Sequence, residues 1–536
     1  MEVPENIKLV IESTPATTRV SSSKVSNPVQ SNPSSGSPHK AVVIGAGLGG
    51  LSVAIQLARR GWIVDVLEKN DKPGGRMNVI QEQGFTIDMG PTMLMMPEVI
   101  EDIFRSCERN MNDYLDLKRL LPAYRLQWLD GKFLDMGMPM EQMVAQVRDL
   151  APEDADSIPD LYRAMADKYE NARYNFIERP FNSMRHMLRK STLSGMIRAL
   201  PLESVYSFVS RYLKSERMRE AFTFQTLYLG MSPMDCPAIY ALLPYIEAEF
   251  GIWYPQGGTS RLASALERLL LDLGGRVHYH TTVTGIEITG KSAKGVRDAD
   301  GAFWGADVVV CNQDVPKAYQ DLVPVSVRKK YSNKKIASYE YGCSGFLLYL
   351  GVKKMQTEWK HNMIVLNGDY KTTLRETCKT HQLSVQPALH VCIPTLTDPT
   401  LAPPGHDVVY VLAPCPNTLG KIDWEQEAKV YRERILDTLE SSGLPGLREN
   451  IVFEQQMTPP EFETKYGCYA GSAYASLTPS FLQSAYFRPH CKSEDVDRLY
   501  FVGAGTHPGG GVPIVLTSGR IAAEEIVHNF AKRNMK

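Results

Sequence analysis

Runs of apolar and polar residues near the N-terminus predict a strand, a turn, a helix and a second strand. Residues 41–44 form an uninterrupted apolar run, which is typical of a short buried strand. Residues 51–58 have helical spacing up to Gly61, and residues 63–67 form a second apolar run that ends at Glu68. The glycine-rich segment 45–50 joins the first strand to the helix. This order predicts a βαβ unit of the nucleotide-binding type.

The glycines of this turn have the spacing GxGxxG, with Gly45, Gly47 and Gly50 at the fixed positions. The first glycine permits the tight turn, the second lets the backbone approach a pyrophosphate, and the third lets the helix pack closely on the strand. The N-terminus of the helix offers free N–H groups to the phosphates. Glu68 stands close to the expected distance of about 20 residues further on, where a carboxylate accepts hydrogen bonds from a ribose diol. An ordinary βαβ turn is the alternative, and NADP is disfavoured because its 2′-phosphate would be repelled.

The rest of the chain adds a second group of strands. An amphipathic helix is predicted over 262–273, a hairpin turn at Asp300-Gly301, and a closing helix over 513–526. The pattern indicates further strands at 276–280, 281–286, 306–312, 344–350, 389–393, 408–412 and 499–502. The runs within 340–412 indicate a second sheet with one covered face. The predicted fold class is therefore α/β.

Composition limits the class of protein. The 536 residues carry a net charge of −1 with 43% hydrophobic and 22% charged residues, which fits a folded protein of two or three units and argues against a nucleic-acid partner. The nine cysteines form no CxxC pair, so we expect reduced cysteines, a cytoplasmic location and no metal site. No window approaches the ~20 apolar residues of a membrane-spanning helix. Residues 1–39 are rich in Ser and Pro and are expected to form a disordered leader rather than a signal or transit peptide.

Two motifs after Glu68 distinguish flavin from nicotinamide. Residues 73–76 read Pro-Gly-Gly-Arg, and residues 88–92 read Asp-Met-Gly-Pro-Thr. With the GxGxxG turn, they resemble the extended fingerprint of FAD enzymes of the amine oxidase and carotenoid desaturase superfamily. The resemblance implies that Gly74, Gly75 and Arg76 lie along the FAD pyrophosphate and ribityl chain. It also implies that Gly90, Pro91 and Thr92 come near the flavin ring.

Three further stretches narrow this resemblance. They are residues 222–258, with the block Gln-Thr-Leu-Tyr; residues 471–489, with Gly-Ser-Ala-Tyr and Phe-Arg-Pro; and residues 505–513, with Gly-Thr-His-Pro-Gly. From about Lys40 to Ile526 the chain resembles the phytoene desaturases of bacterial and fungal type and their relatives that act on C30 chains. The further FAD contacts that this resemblance implies are Val283, Gly503, Thr506, Gly511 and Val512. His507 is a weak candidate for a catalytic base, and a purely structural histidine is an equally good interpretation.

The resemblance implies a Rossmann-like FAD-binding domain interrupted by an inserted substrate domain of mixed sheet and helices. The expected organisation is a leader over 1–39, FAD-binding parts over 40–110, 251–335 and 491–536, a helical membrane-associating region over 111–250, and a substrate sheet over 336–490. Residues 179–219 carry nine Lys and Arg against two acids, interleaved with apolar residues, which suits a peripheral membrane contact. Ordinary amphipathic helices are the alternative for this segment.

The activity implied is FAD-dependent desaturation of a hydrophobic isoprenoid polyene, with hydride transfer to flavin N5, trans double-bond formation, and oxygen or a membrane quinone as the final electron acceptor. The alternatives are a carotenoid cis–trans isomerase or a polyene saturase on the same fold, and a weaker rival is an amine oxidase. A non-catalytic prenyl- or lipid-binding protein is the alternative of another class. C30 and C40 substrates are not distinguished.

Overall fold

The computed structural model describes residues 38–178, 195, 202–474 and 476–534. Its strands, β1 to β19 in chain order, are Lys40–Ile44, Ile63–Leu67, Val79–Glu82, Phe85–Asp88, Leu117–Leu120, Tyr124–Trp128, Phe133–Met136, Ile252–Pro255, Arg276–His278, Val283–Thr289, Ser292–Asp298, Phe303–Gly305, Val308–Cys311, Ser344–Lys353, Asn362–Leu366, Leu389–Cys392, His406–Cys415, Ile451–Met457 and Leu499–Phe501. Its α-helices, α1 to α15, are Leu48–Ala58, Pro97–Ser106, Met140–Leu150, Ile158–Ala172, Val205–Val209, Glu216–Ala221, Leu243–Phe250, Ser260–Asp272, Val315–Asp321, Asn333–Ala337, Tyr370–Arg375, Trp424–Ser442, Leu447–Asn450, Pro459–Tyr466 and Val512–Asn534.

A five-stranded parallel sheet of order β19–β13–β1–β2–β9 carries the predicted nucleotide-binding unit. Its strands come from three separate parts of the chain, so the parallel sheet is assembled across long insertions. Alternate residues of β1 point to opposite faces: Val43 packs with α1, α8 and α15, and Val42 packs toward α9 and the three-stranded sheet β10–β11–β12. Both faces are covered, which explains why these strands read as continuous apolar runs. The α/β fold class is confirmed.

A second, seven-stranded mixed sheet has the order β18–β14–β17–β16–β15–β6–β7. Along β14, Phe346, Leu348 and Leu350 face α12, whereas Leu347 and Tyr349 face the helices of the inserted region. This sheet is covered on both sides, so the prediction of one covered face is wrong. The long helix α12 buries the second face with Trp424, Tyr431, Ile435 and Leu439.

The region 111–250, described from sequence as helices and loops, also contains three strands. β6 and β7 extend the seven-stranded sheet, and β5 pairs with β8. The helical description is therefore incomplete. The sequence pattern missed these strands because they are four or five residues long and carry polar residues such as Lys118, Arg125 and Asp135 between the apolar ones. The domain boundaries themselves remain a prediction.

Two predicted features fall largely beyond the part of the chain that the structure describes. They are the leader, of which residues 1–37 are not described, and the basic apolar segment, of which residues 179–194 and 196–201 are not described. Among the helices formed by described residues, none combines the length and apolar character needed to cross a bilayer.

Candidate functional site: a dinucleotide cradle at the end of the parallel sheet

The glycine turn after β1 lies at the carboxyl end of the parallel sheet. Gly45 has φ +90° and donates its N–H to the Leu67 carbonyl at 2.7 Å, which ties the turn to the end of β2. Helix α1 begins after Gly47, whose carbonyl accepts the Leu51 N–H at 2.9 Å. A methyl group at Gly50 would lie 2.1 Å from the Gly45 carbonyl oxygen, so only glycine allows this approach of helix and strand. Within the described residues no side chain caps α1, which leaves its first N–H groups directed at the space above the turn.

Glu68 lies directly beside this turn and is buried. Its Oε2 accepts the Ala46 N–H at 2.8 Å, and its Oε1 accepts the backbone N–H of Asn70 at 3.0 Å and its side-chain amide at 2.8 Å. Three donors fix the carboxylate in place, and a carboxylate has about four lone-pair positions, so it retains capacity for a ribose hydroxyl. The structure thus places Glu68 at the end of β2, in direct hydrogen-bond contact with the first glycine turn.

The Pro-Gly-Gly-Arg turn packs against the first glycine turn. Gly74 donates its N–H to the Ala46 carbonyl at 2.9 Å, and Gly74 and Gly75 have φ +116° and +59°. The Arg76 Nη1 donates to the carbonyls of Ala473 and Tyr474, each at 3.0 Å. These bonds join the turn to the 471–474 loop, a role for Arg76 that the sequence does not indicate.

The Asp-Met-Gly-Pro-Thr segment lies immediately behind this turn. A methyl group at Gly90 would be 1.9 Å from the Arg76 carbonyl oxygen, so the two turns are in direct backbone contact. Asp88 is buried and accepts the Tyr254 hydroxyl and the Thr259 N–H, both at 2.8 Å, which fixes the start of α8. Burial raises the pKa of Asp88. Thr92 is buried and Pro91 is exposed at the same turn.

The C-terminal glycine turn closes the other side of the cradle. Gly503 donates its N–H to the Ser518 hydroxyl at 2.9 Å, and Thr506 donates its hydroxyl to the Pro489 carbonyl at 2.7 Å. Gly511 has φ +99°, and Val512 begins the long helix α15. A methyl group at Gly49 would lie 2.9 Å from the Gly503 nitrogen, so the two glycine turns are in contact although Gly49 and Gly503 are 454 positions apart in the sequence.

Arg488 holds this C-terminal turn from within the protein. Its guanidinium is buried and donates to four carbonyls: Thr506 at 3.1 Å, Ala504 at 2.7 Å, Gln483 at 3.2 Å and Leu477 at 3.2 Å. Burial lowers the pKa of Arg488. The sequence presents this arginine only as part of the Phe-Arg-Pro motif, because its acceptors are backbone atoms that no residue pattern reveals.

Two further predicted residues take defined places. His507 is buried. Its backbone N–H donates to the Pro489 carbonyl at 3.0 Å, and its backbone carbonyl accepts a hydrogen bond from the Cys491 thiol at 3.3 Å. Its role as a base stays a prediction. Val283 begins β10, two residues after Thr281, whose N–H donates to the Glu68 carbonyl at 2.8 Å.

Asn312 is a site residue that the sequence analysis missed. It follows β13. A methyl group added at Gly47, Gly49 or Gly503 would lie within 3.0 Å of the Asn312 side chain. The amide thus stands where the two glycine turns meet. It is the last residue of the run 306–312 predicted as a strand, and a polar residue at the carboxyl end of a parallel strand is the signal that points to such a position.

The arrangement fits an adenine dinucleotide: an open helix N-terminus for the pyrophosphate, a fixed carboxylate for the ribose, and glycines whose missing side chains keep the cradle open. Within the described residues, no group of three or more His, Cys, Asp or Glu side chains is arranged to hold a metal ion.

Comparison with known proteins agrees with this geometry. Residues 48–527 match the family model of flavin containing amine oxidoreductases. The chain is 36% identical over 490 residues to a 4,4'-diapophytoene desaturase (4,4'-diapolycopene-forming) of Methylomonas sp, which covers 90% of this chain and 94% of that protein. It is also 36% identical over 496 residues to a phytoene desaturase (lycopene-forming) of Pseudescherichia vulneris, which covers 92% of this chain and 99% of that protein.

Among solved structures, an oxidoreductase from Methanosarcina mazei has a TM-score of 0.62 at 19% identity and covers 90% of this chain and 100% of its own, which supports the fold. The chain therefore belongs to the flavin containing amine oxidoreductase family and, within it, to the FAD-dependent oxidoreductases of the phytoene and diapophytoene desaturase type.

Proposed function

We propose that this protein introduces trans double bonds into a linear isoprenoid polyene of the phytoene or diapophytoene class, in carotenoid biosynthesis. The observation that carries this proposal is 36% identity over nine-tenths of the chain to desaturases of both classes. The equal identity to the two classes favours neither C30 nor C40 substrates.

FAD is held, in this proposal, by the cradle described above. Gly45, Gly47, Gly50 and the N-terminus of α1 bind its pyrophosphate, and Glu68 binds the ribose of its adenosine. The other contacts on the dinucleotide and the ring are Gly74, Gly75, Arg76, Gly90, Pro91, Thr92, Val283, Gly503, Thr506, Gly511 and Val512. When bound, FAD supplies the hydride acceptor, and the protein orients the polyene and excludes water.

A small, mainly apolar cavity lies beside the seven-stranded sheet. Its lining includes Leu227, Leu366, Leu374 and Ala388, from the 3₁₀ helix Phe224–Leu229, from β15 and α11, and from the residue before β16. The lining contains no charged group, and the space it encloses is about the size of one water molecule. We propose that the polyene passes beside this lining, whose side chains move apart to admit it.

The protein needs access to its insoluble substrate, and we propose a peripheral membrane contact through residues 179–219. Leu202, where the described part of this segment resumes, is 94% exposed, and Tyr174, five residues before the segment, is about half exposed. The excess of Lys and Arg favours anionic lipid. Oxygen or a membrane quinone is the proposed final acceptor. Sedimentation with anionic and with neutral vesicles tests the contact: we expect binding that weakens with salt, and equal absence from both pellets would contradict it.

The activity is tested by incubating purified, FAD-loaded protein with phytoene or diapophytoene in liposomes and separating the products. We expect products with a longer conjugated chromophore, because only desaturation adds conjugated double bonds. Isomerised product with an unchanged number of double bonds, or a shorter chromophore, would instead identify an isomerase or a saturase.

A further inference from the structure

The side chain of Asn312 lies between the two glycine turns of the cradle. Its backbone N–H donates to the Ile44 carbonyl at 2.9 Å, which fixes the residue at the carboxyl end of the parallel sheet. The side-chain amide is partly exposed and forms no hydrogen bond with the residues that the structure describes. A polar side chain that is held at a binding site without a protein partner is available to a ligand.

The two ends of this amide face different glycines. Its Nδ2 lies 2.5 Å from the position that a methyl group would take at Gly47. Its Oδ1 lies 2.6 Å from the corresponding position at Gly49 and 3.0 Å from that at Gly503. The second glycine of a dinucleotide turn is a glycine because the pyrophosphate approaches its backbone closely. Gly47 is that residue here, so the Asn312 Nδ2 stands on the side of the turn from which a pyrophosphate approaches.

The other donors near this turn are backbone groups or are directed elsewhere. Helix α1 begins after Gly47, and no described side chain caps it, so its first N–H groups are open. The Arg76 Nη1 donates to the carbonyls of Ala473 and Tyr474. A pyrophosphate that approaches the start of α1 therefore meets the backbone N–H groups of the helix and, beside them, the Asn312 amide.

From this placement we propose that the Asn312 side chain donates a hydrogen bond to the pyrophosphate of FAD, and that this position requires an amide rather than a carboxylate. The inference rests on the proposed function, in which the cradle holds FAD. A hydrogen bond from an amide to a phosphate oxygen is charge-assisted and is stronger than one between neutral groups. A carboxylate at the same place offers no donor and repels the phosphates.

The change from Asn312 to aspartate separates an effect on FAD from an effect on the fold. Aspartate has the size and shape of asparagine, and a carboxylate beside the N-terminus of a helix is stabilising. The Tm of FAD-free Asn312→Asp should therefore equal or exceed that of the FAD-free wild type. The carboxylate and the phosphates compete for the same N–H groups, so the increase in Tm on adding FAD should be lost in this variant.

The decisive measurement is titration of deflavinated Asn312→Asp with FAD. We expect the Kd to rise roughly 100-fold or more, because charge repulsion replaces a charge-assisted hydrogen bond. Asn312→Ala removes the donor without adding a charge, so its Kd should rise roughly 10-fold. Asn333→Asp makes the same change at the exposed start of α10 and is the matched control, with wild-type FAD affinity expected.

Two fragments of FAD locate the effect along the dinucleotide. ADP contains the adenosine ribose and both phosphates, whereas adenosine contains the ribose without them. Binding of each fragment to the FAD-free proteins is measured by ligand-observed NMR. Asn312→Asp should weaken the binding of ADP and leave that of adenosine unchanged. Glu68→Gln, which acts on the ribose, should weaken the binding of both.

The outcomes separate the two proposals. Wild-type affinity for FAD in a folded Asn312→Asp variant would overturn the contact with the pyrophosphate and leave the FAD cradle standing. An equal loss of affinity for ADP and adenosine would overturn it as well, because the effect would then lie on the adenosine. If Asn312→Asp does not fold, the ADP and adenosine affinities of Asn312→Ala decide in the same way. If the wild type itself takes up no FAD, the proposed function fails and this inference fails with it.

Discussion

Replacing Glu68 by lysine should abolish tight FAD binding. The wild-type carboxylate accepts hydrogen bonds from the Ala46 N–H and from two N–H groups of Asn70, all within 3.0 Å. A lysine ammonium accepts none. A hydrogen bond to a charged group contributes about 1.5–3 kcal/mol, so losing the ribose contacts alone should raise the Kd for FAD roughly 100-fold. Unsatisfied buried donors add about 1–3 kcal/mol each, which should also lower the Tm of the FAD-free protein.

The assay is titration of the deflavinated protein with FAD, followed by flavin fluorescence, together with thermal unfolding with and without FAD. Glu68→Gln, which keeps one acceptor oxygen, should fall between the wild type and the lysine variant. Glu82→Lys makes the same charge change on the exposed β3–β4 hairpin and serves as the control, with wild-type FAD affinity expected. If folded Glu68→Lys binds FAD as tightly as the wild type, the assignment of this carboxylate to the ribose is wrong.

Other substitutions test the rest of the cradle. Gly50→Ala places a methyl group 2.1 Å from a backbone oxygen and should lower both the Tm and the FAD content, whereas Gly285→Ala, with open space around it, should change neither; equal behaviour of the two variants would contradict the close approach of helix and strand. Arg488→Lys replaces a buried guanidinium that serves four carbonyls by an ammonium with three donors, and calorimetry should show destabilisation of about 2–5 kcal/mol. The partly exposed Arg520→Lys should leave the unfolding transition in place, and an equally small effect at Arg488 would show that its buried hydrogen bonds contribute little. Asp88→Ala leaves the Thr259 N–H and the Tyr254 hydroxyl without their acceptor, so its Tm should fall by several degrees, and a wild-type Tm would contradict the anchoring of α8.

The elements that sequence predicted best are those with a strong local pattern. The first strand, helix and second strand follow from apolar periodicity and glycine spacing, and the observed β1, α1 and β2 match them to within a few residues. The hairpin at Asp300-Gly301 likewise lies between the paired strands β11 and β12. Local chemistry decides these segments, so tertiary contacts do not overrule it.

The missed features depend on distant partners. β6 and β7 lack a distinctive pattern: β6 becomes a strand because it pairs with β15, and β7 because it pairs with β6. The Arg488 guanidinium donates to backbone carbonyls. Glu247 on α7 accepts a hydrogen bond from Tyr124 on β6, which is 123 residues away in the sequence. A sequence pattern identifies which residues are unusual for their position, but it does not give the partner across the fold.

The most direct test is anaerobic mixing of FAD-loaded protein with phytoene or diapophytoene in liposomes, with the flavin and polyene absorbances recorded together. The account predicts bleaching of the oxidised flavin as a longer polyene chromophore forms, one new double bond for each flavin reduced. A flavin that stays oxidised in the presence of both polyenes, in protein that holds FAD, would contradict it.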